Sequence, residues 1–171
     1  MVNYNSVDDL SPRYREQAEI TLKSEREREL VRAIETANPT KGYQLVVLGK
    51  PHSKARPRFN TKTGHVYTPP KTIEAERKIK RLWEKKYGIT NLNKPLKVTI
   101  RFAFEIPRNQ GKIKAGSPYT KHLDVDNLCK LVLDALNKVA YRDDMYITEL
   151  HAVKYYDRES YTVIEIEDVN G

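Results

Sequence analysis

Apolar and polar residues recur along this chain in patterns that predict three helices and four longer strands. The apolar run Tyr43–Leu48 predicts a buried strand. Residues 96–106 alternate apolar and polar side chains, which is typical of a half-buried strand. Two further alternating segments, 146–156 and 161–167, are separated by four polar residues and predict a C-terminal hairpin.

Helical periodicity marks three segments. Residues 11–37 predict a helix with Ser11 as N-cap and Pro12 at the first helical position. Residues 71–87 predict an amphipathic helix with a basic outer face. The clearest helix covers residues 127–138, because its apolar side chains fall on one face at Leu128, Leu131, Val132, Ala135, Leu136 and Val139.

The order of these elements indicates the fold class. After the N-terminal helix they run β, α, β, α, β, β, which predicts an α+β fold with a mixed β-sheet packed with helices. The 171 residues suit one such core. We therefore expect a single domain over residues 43–171, preceded by an N-terminal helical extension over residues 1–42. Segments 54–59 and 107–120 are rich in charge, Pro or Gly and are predicted loops, the second of them mobile.

Charge is segregated along the chain. The total is +8, yet residues 50–90 hold 12 basic side chains against three acidic ones, whereas residues 122–171 hold five against 11. A uniformly solvated surface does not require this separation. A basic surface around an acidic site does require this separation. Such a surface favours a polyanionic partner.

Cysteine content and hydropathy indicate the cellular compartment of the protein. Cys129 is the single cysteine, so the chain forms no internal disulfide and fits a reducing environment. No apolar run approaches the roughly 18 to 20 residues that a membrane span needs. We expect a cytoplasmic protein without a membrane partner.

The candidate chemistry is carried by the acids around the third helix. Asp124 and Asp126 precede it, and Lys130 follows one turn later. A 12-residue helix is about 18 Å long, and the half-dozen residues after it extend about 20 Å, so the chain can return and place Asp144, or Asp143, beside the first pair. Oxygen ligands without His or Cys point to Mg²⁺ or Mn²⁺ rather than zinc.

Each of these residues also has an ordinary structural interpretation. An Asp before a helix commonly caps free backbone N–H groups. Lys130 has the spacing of an i,i+4 ion pair with Asp134. Two acids at i and i+2 nevertheless exceed what one cap requires, and their repulsion needs a compensating cation. Such acids beside a basic surface make hydrolysis of a phosphodiester plausible, with Lys130 stabilising the reacting phosphate.

Taken together, Asp124-Val-Asp-Asn-Leu-Cys-Lys130, the Asp143-Asp144 turn, Gly49-Lys-Pro-His-Ser-Lys-Ala-Arg-Pro-Arg58 and Tyr67-Thr-Pro-Pro-Lys71 resemble the RusA family of Holliday junction resolvases over about residues 44–167. The resemblance implies a homodimer of a small α+β fold that cuts four-way DNA junctions symmetrically. It implies that Asp124, Asp126 and Asp144 bind Mg²⁺ and that Lys130 is needed for cleavage. Where the family has a Gly, this chain has Lys138-Val-Ala-Tyr141.

The basic residues predicted to contact branched DNA are Lys54, Arg56, Arg58, Lys71 and Lys154. Two other functions stay open from the sequence. One is a non-catalytic DNA-binding accessory protein for recombination, whose acids only cap a helix. The other is a glycosyltransferase that binds Mn²⁺ through an Asp-x-Asp motif, although the chain lacks a Rossmann-like beginning and the basic segment would have no role.

Overall fold

The computed structural model describes residues 12–59, 61–62, 64–109 and 111–170. The chain divides into two compact units, Met1–Pro39 and Thr40–Gly171. In the first unit, helix α1 covers Pro12–Ala37, as predicted, while Ser11 lies outside the described residues. Within α1, Leu22 is exposed, whereas Ile34 is buried.

The second unit contains a four-stranded mixed sheet, two long helices and a short two-stranded ribbon. The sheet order is β1-β6-β4-β5, with β4 and β5 parallel and the other neighbours antiparallel. The α+β fold with a mixed sheet is therefore confirmed. Its elements are β1 Tyr43–Leu48, β2 Arg58–Phe59, β3 Val66–Tyr67, α2 Pro70–Tyr87, β4 Leu96–Glu105, α3 Val125–Leu136, a 3-10 turn Asp144–Tyr146, β5 Ile147–Asp157 and β6 Tyr161–Asp168.

The predicted C-terminal hairpin is wrong, because β4 lies between β5 and β6. Five alternate residues of β4 are almost completely buried on one face, namely Leu96, Val98, Ile100, Phe102 and Phe104. A strand this apolar is stabilised in the centre of a sheet rather than at its edge. On the other face Lys97, Arg101 and Glu105 keep exposed surface, so the half-buried strand that the alternation predicted is confirmed.

The hydrophobic core lies between one face of the sheet and helices α2 and α3. Trp83 of α2 is completely buried and its ring packs against Tyr43 and Tyr87, with centroids 5.7 and 5.0 Å away. The predicted inward face of α3 is confirmed, since Leu128, Leu131, Val132, Ala135 and Leu136 are all buried. Each large buried side chain contributes about 1.5–3 kcal/mol, so this face fixes the orientation of α3 and turns its polar face outward.

Two predicted loops are more ordered than their composition indicated. Arg58 and Phe59 form β2, which pairs with β3. In the segment before α3, the amide of Gly116 donates to Tyr156 and that of Tyr119 donates to Lys154, so these residues lie along β5. Tyr119 is buried and stacks on Phe104 at 3.9 Å. Within the described ranges, no helix is long and apolar enough to cross a membrane.

Candidate active site

The carboxylates at the start of α3 have no hydrogen-bond or ion-pair partner among the residues that the structure describes. Asp124 is the N-cap residue, yet its side chain makes no capping hydrogen bond. Asp126 lies in the first turn, and both side chains are exposed. In the part of the chain that the structure describes, neither carboxylate forms a hydrogen bond or an ion pair. The helix cap therefore does not account for these acids.

A side chain of β5 holds the residues just before Asp124 in place through hydrogen bonds. Lys154 donates from Nζ to the carbonyl oxygen of Leu123 at 2.7 Å and to that of Lys121 at 3.3 Å. Leu123 has a φ of 93°, a strained conformation for a residue with a side chain. The ammonium of Lys154 thus stabilises the turn that delivers Asp124. Its predicted contact with DNA would compete with these two hydrogen bonds.

After α3 the chain reverses tightly and returns along the helix. Lys138 adopts a left-handed φ of 63°, and its amide donates to the carbonyl of Tyr141 at 2.8 Å. The buried Tyr141 donates its hydroxyl to the carbonyl of Leu133 at 2.7 Å, which ties the returning chain to α3.

The return ends at the pair of acids, and these two have different surroundings. The carboxylate of Asp143 accepts from the amide of Met145 at 3.1 Å and caps the 3-10 turn. Asp144 is exposed, and its carboxylate has no hydrogen-bond partner among the described residues. Burial raises the pKa of Tyr141, and the charges of Asp144 and Asp134 raise it further, so Asp144 lies within electrostatic range of a hydroxyl that is bonded to α3. Of the two acids, Asp144 is the one available to a ligand.

Lys130 projects from the polar face of α3, one turn after Asp126. Its side chain is 63% exposed, and Nζ lies 3.4 Å from Oδ1 of Asp134. An exposed i,i+4 pair at this distance contributes only about 0.3–0.5 kcal/mol. Lys130 can therefore leave Asp134 for a phosphate at little cost.

Lys54 lies at the centre of a partly buried ionic cluster. Its ammonium pairs with Glu76 of α2 and, at 3.0 Å, with Oδ2 of Asp134. Burial by itself lowers the pKa of Lys54, but the hydrogen bonds and charges of Glu76 and Asp134 outweigh it, so the pKa is raised. Its amide also donates to the carbonyl of Asn127 at 2.8 Å. The loop after β1 is thereby fastened to the first turn of α3.

This cluster contains residues that the sequence reasoning did not assign. Lys54 was predicted to contact DNA, whereas its ammonium is already engaged inside the protein, and Glu76 was given no role. One signal was present: Glu76 is one of only three acids among residues 50–90. Such an acid in a basic segment often has an internal partner.

The other basic residues that were predicted to contact DNA lie around the same loop. Arg56 and Lys71 are exposed, the latter in the first turn of α2. The backbone of Arg58 forms part of β2. The loop from β1 to β2 is thus bonded at Lys54 to the first turn of α3, and it carries the exposed Arg56 two residues further on.

Cys129, on α3, is buried and chemically inert. Burial raises the pKa of its thiol to about 11, and the negative charge of Asp126 adds to the effect. A thiol with that pKa is almost entirely protonated at neutral pH and is a poor nucleophile. Its electrostatic interaction with Asp126 places that carboxylate near the helix body.

The donor set suits a hard divalent cation, although the acids are not gathered around one point. Asp124, Asp126 and Asp144 offer oxygen atoms only, which Mg²⁺ and Mn²⁺ prefer. No group of three or more Asp, Glu, His or Cys side chains within the described ranges lies close enough to hold a metal ion. No hydrogen bond among the described residues fixes these three exposed carboxylates, so their side chains are free to rotate.

Comparison with known proteins adds evidence about the activity. The family described as Endodeoxyribonuclease RusA matches residues 49–167, which is well over half of the chain. This protein belongs to the RusA family. It therefore belongs to a family of endodeoxyribonucleases, enzymes that hydrolyse phosphodiester bonds within DNA. The chain is also similar to the uncharacterized protein YqaN of Bacillus subtilis (strain 168), with 26% identity over 139 residues, 75% of this chain and 97% of YqaN.

The residues that match the RusA family include the whole candidate site and exclude α1. The match includes the loop with Lys54, the ribbon, α3 and the return to Asp144. The family's usual Gly after α3 is missing in this RusA protein, and the left-handed φ of Lys138 shows that the tight turn forms nonetheless. The departure in sequence therefore leaves the path of the chain to Asp144 intact.

Proposed function

We propose that this protein is a Mg²⁺-dependent endonuclease that resolves four-way (Holliday) DNA junctions by paired, symmetrical hydrolysis of phosphodiester bonds. One observation carries the proposal. In a member of an endodeoxyribonuclease family, three exposed carboxylates flank α3 and have no hydrogen-bond or ion-pair partner within the described ranges, and a basic loop is bonded to the first turn of the same helix.

In this proposal Asp124, Asp126 and Asp144 hold Mg²⁺, and Mn²⁺ substitutes for it. A divalent cation supplies Lewis acidity at a scissile phosphate when it is bound. The three carboxylates suit this role because none is needed by the fold for a hydrogen bond. Asp143 is the weaker candidate, since its carboxylate caps the 3-10 turn.

Lys130 acts on the phosphate itself. Its ammonium is exposed and weakly held by Asp134, so it can turn toward a phosphate bound near Asp126. A positive point charge there stabilises the negative charge that builds on the phosphoryl oxygens in the transition state. Lys54 instead supports the site, because its ion pairs and its backbone hydrogen bond fix the loop and α3 together.

The basic segment holds the DNA backbone. Residues 50–121 carry 19 basic side chains against four acidic ones, and among them Arg56, in the loop that is bonded to α3, and Lys71, in the first turn of α2, are exposed. Binding should therefore weaken with salt, by a log–log slope of roughly −0.9 for each neutralised phosphate.

Paired cuts require two sites. One chain holds one set of Asp124, Asp126 and Asp144, while a four-way junction presents two scissile phosphates related by approximate twofold symmetry. We therefore propose a twofold homodimer as the active species, the commonest symmetry of small homo-oligomers. Sedimentation of the protein with and without a junction tests the assembly.

The decisive experiment incubates the protein with a labelled synthetic four-way junction, with and without Mg²⁺. We expect Mg²⁺-dependent nicks at symmetrical positions whose products DNA ligase can seal. A junction that is bound but never cut in Mg²⁺ or Mn²⁺ would support the non-catalytic accessory protein instead. That alternative explained Asp124 as a helix cap, and the capping hydrogen bond it requires is not formed.

A further inference from the structure

The ribbon of β2 and β3 exposes apolar side chains that a folded protein would ordinarily bury. Phe59 is 62% exposed, Val66 66% and Tyr67 44%. Phe59 and Val66 are directly opposite each other in the register, and Tyr67 is opposite Arg58. Because successive residues of a strand point to opposite faces, Phe59 and Val66 make one side of the ribbon apolar, and the Tyr67 ring lies on the other. Such an exposed group is characteristic of a binding surface.

The surroundings of this ribbon indicate the chemistry of its partner. Residues 50–73 contain six Lys or Arg and no Asp or Glu. Exposed aromatic rings within a segment of one charge sign are the combination that binds unpaired nucleic acid, where the cations contact phosphates and the rings stack on bases. The charge alone would suit any polyanion, but the rings add a preference for exposed bases.

The position of the ribbon links it to the candidate active site. The loop from β1 to β2 carries Lys54, whose amide donates to Asn127 in the first turn of α3 at 2.8 Å. Three residues separate Lys54 from Arg58, the first residue of β2. DNA whose phosphate lies near Asp126 therefore passes close to the ribbon.

We infer that the ribbon is a base-stacking element, in which Phe59, with Val66 beside it on the same side, stacks on a base face that is exposed where DNA strands branch, while Tyr67 offers a second stacking surface on the other side. Bases in continuous duplex DNA are stacked on their neighbours and unavailable, whereas a branch point exposes base faces. The ribbon would accordingly favour branched over duplex DNA. This inference rests on the proposed junction-cleaving function and adds residues that select the DNA structure.

Phe59→Ala is the principal test. Stacking of one base contributes enough that its loss weakens binding by about 5- to 150-fold. We expect that loss for a four-way junction in titrations at several salt concentrations, with little change for duplex DNA of the same sequence. The log–log salt slope should stay the same, because no phosphate contact is removed. Tyr67→Ala should show the same pattern with a smaller loss.

Three matched variants control this experiment. Ile89→Ala removes an exposed apolar side chain of similar exposure, 68%, outside the ribbon, and should change neither affinity nor slope. Lys71→Ala should weaken binding to junction and duplex alike and make the salt slope shallower by roughly 0.9. Phe59→Trp should retain junction affinity, and its indole fluorescence should be quenched by a junction but not by duplex DNA; Trp83, being buried, gives a constant background.

The outcomes separate the inference from the function on which it rests. Wild-type protein that does not cut a junction contradicts the proposed function. Wild-type protein that cuts it, together with a Phe59→Ala variant that binds junction as tightly, overturns the inference alone. A Phe59→Ala variant that changes the sedimenting species, or a Phe59-dependent association with anionic lipid vesicles in place of junction selectivity, would assign the ribbon to a protein or membrane contact and also overturn it.

Discussion

The two ends of α3 treat their acidic residues in opposite ways. Near the C-terminal end, both oxygens of Asp134 are engaged, one with Lys54 at 3.0 Å and one with Lys130 at 3.4 Å. At the N-terminal end, Asp124 and Asp126 have no partner among the described residues. Helix α3 thus pairs Asp134, which links the helix to Lys54. It leaves Asp124 and Asp126, which repel each other, unpaired among the described residues.

This difference distinguishes structural acids from candidate ligands. A partly buried ion pair stabilises the fold, and removing one partner leaves the other uncompensated. Adjacent free carboxylates destabilise it slightly through repulsion, unless a cation lies between them. Substitutions at the two ends of α3 should therefore have opposite consequences for stability and for activity.

The largest expected effect is a difference in cleavage activity between substitutions at the two ends of α3. Asp126→Asn should reduce junction cleavage by about 100-fold or more, the scale of losing one group that acts on transition-state charge. Binding of the junction should be unchanged or tighter, because repulsion of DNA falls. Asp134→Asn is the matched control and should retain most cleavage when assayed well below its unfolding temperature. Normal turnover by Asp126→Asn would remove this residue from the site.

The second prediction concerns the stability that the paired carboxylate near the C-terminal end of α3 contributes. Lys54→Met keeps the stem of the side chain but leaves Glu76 and Asp134, each about a quarter exposed, without their shared cation. We expect the free energy of unfolding to fall by about 1–3 kcal/mol in urea denaturation. Lys85→Met, an exposed position on the same α2 helix, should change it by less than about 0.5 kcal/mol. A stable Lys54→Met protein with weakened DNA binding would restore Lys54 to the DNA contacts.

The third prediction concerns pH and the thiol between the two ends. Folding raises the pKa of Cys129 from 9.0 to about 11. Below pH 9 both the folded and the unfolded chain keep the proton, and the stability is fully present. As the pH rises from 9 toward 11 the unfolded chain ionises first, so the free energy of unfolding should fall, by about 1 kcal/mol at pH 10. Cys129→Ala should lose less stability over the same range, and equal losses would contradict the buried thiol.

The smallest expected effect is at the turn after α3. Lys138 holds a left-handed φ that costs a residue with a side chain about 1 kcal/mol. Lys138→Gly should therefore stabilise the protein by about 0.5–1 kcal/mol against thermal unfolding. Lys138→Ala also has a Cβ atom and should give no such gain. If glycine destabilises, the turn depends on the lysine side chain rather than on its backbone conformation.

Local pattern was sufficient to predict the helices and the four longer strands, but it missed β2 and did not predict which strands are neighbours. The apolar spacing of α3 predicted its buried face correctly, and the apolar run of β1 predicted its bounds. The spacing of β5 and β6 carries no information about a strand that enters between them, so the hairpin was wrong. The alternation of β4 predicted its one fully buried face, whereas its central position in the sheet was not predicted.

The candidate site shows the same division. Asp124 and Asp126 could be chosen from the sequence because only one residue separates them, whereas chain lengths left Asp143 and Asp144 both open and the resemblance to the RusA family favoured Asp144. The partners of Lys54 could not be predicted from the sequence, since Glu76 and Asp134 are brought to it only by the packing of α2 against α3. Whether a carboxylate is free or paired is decided by such contacts, and charge counts along the chain do not contain them.

Binding of Mn²⁺ followed by electron paramagnetic resonance tests the central claim most directly, because it reads the metal site without DNA or cleavage. The wild-type protein and Asp134→Asn should each bind Mn²⁺, with Mg²⁺ competing, while Asp126→Asn should bind at least about 10-fold more weakly. Equal binding by Asp126→Asn and the wild-type protein, or a loss confined to Asp134→Asn, would contradict the assignment of the unpaired carboxylates as the metal ligands.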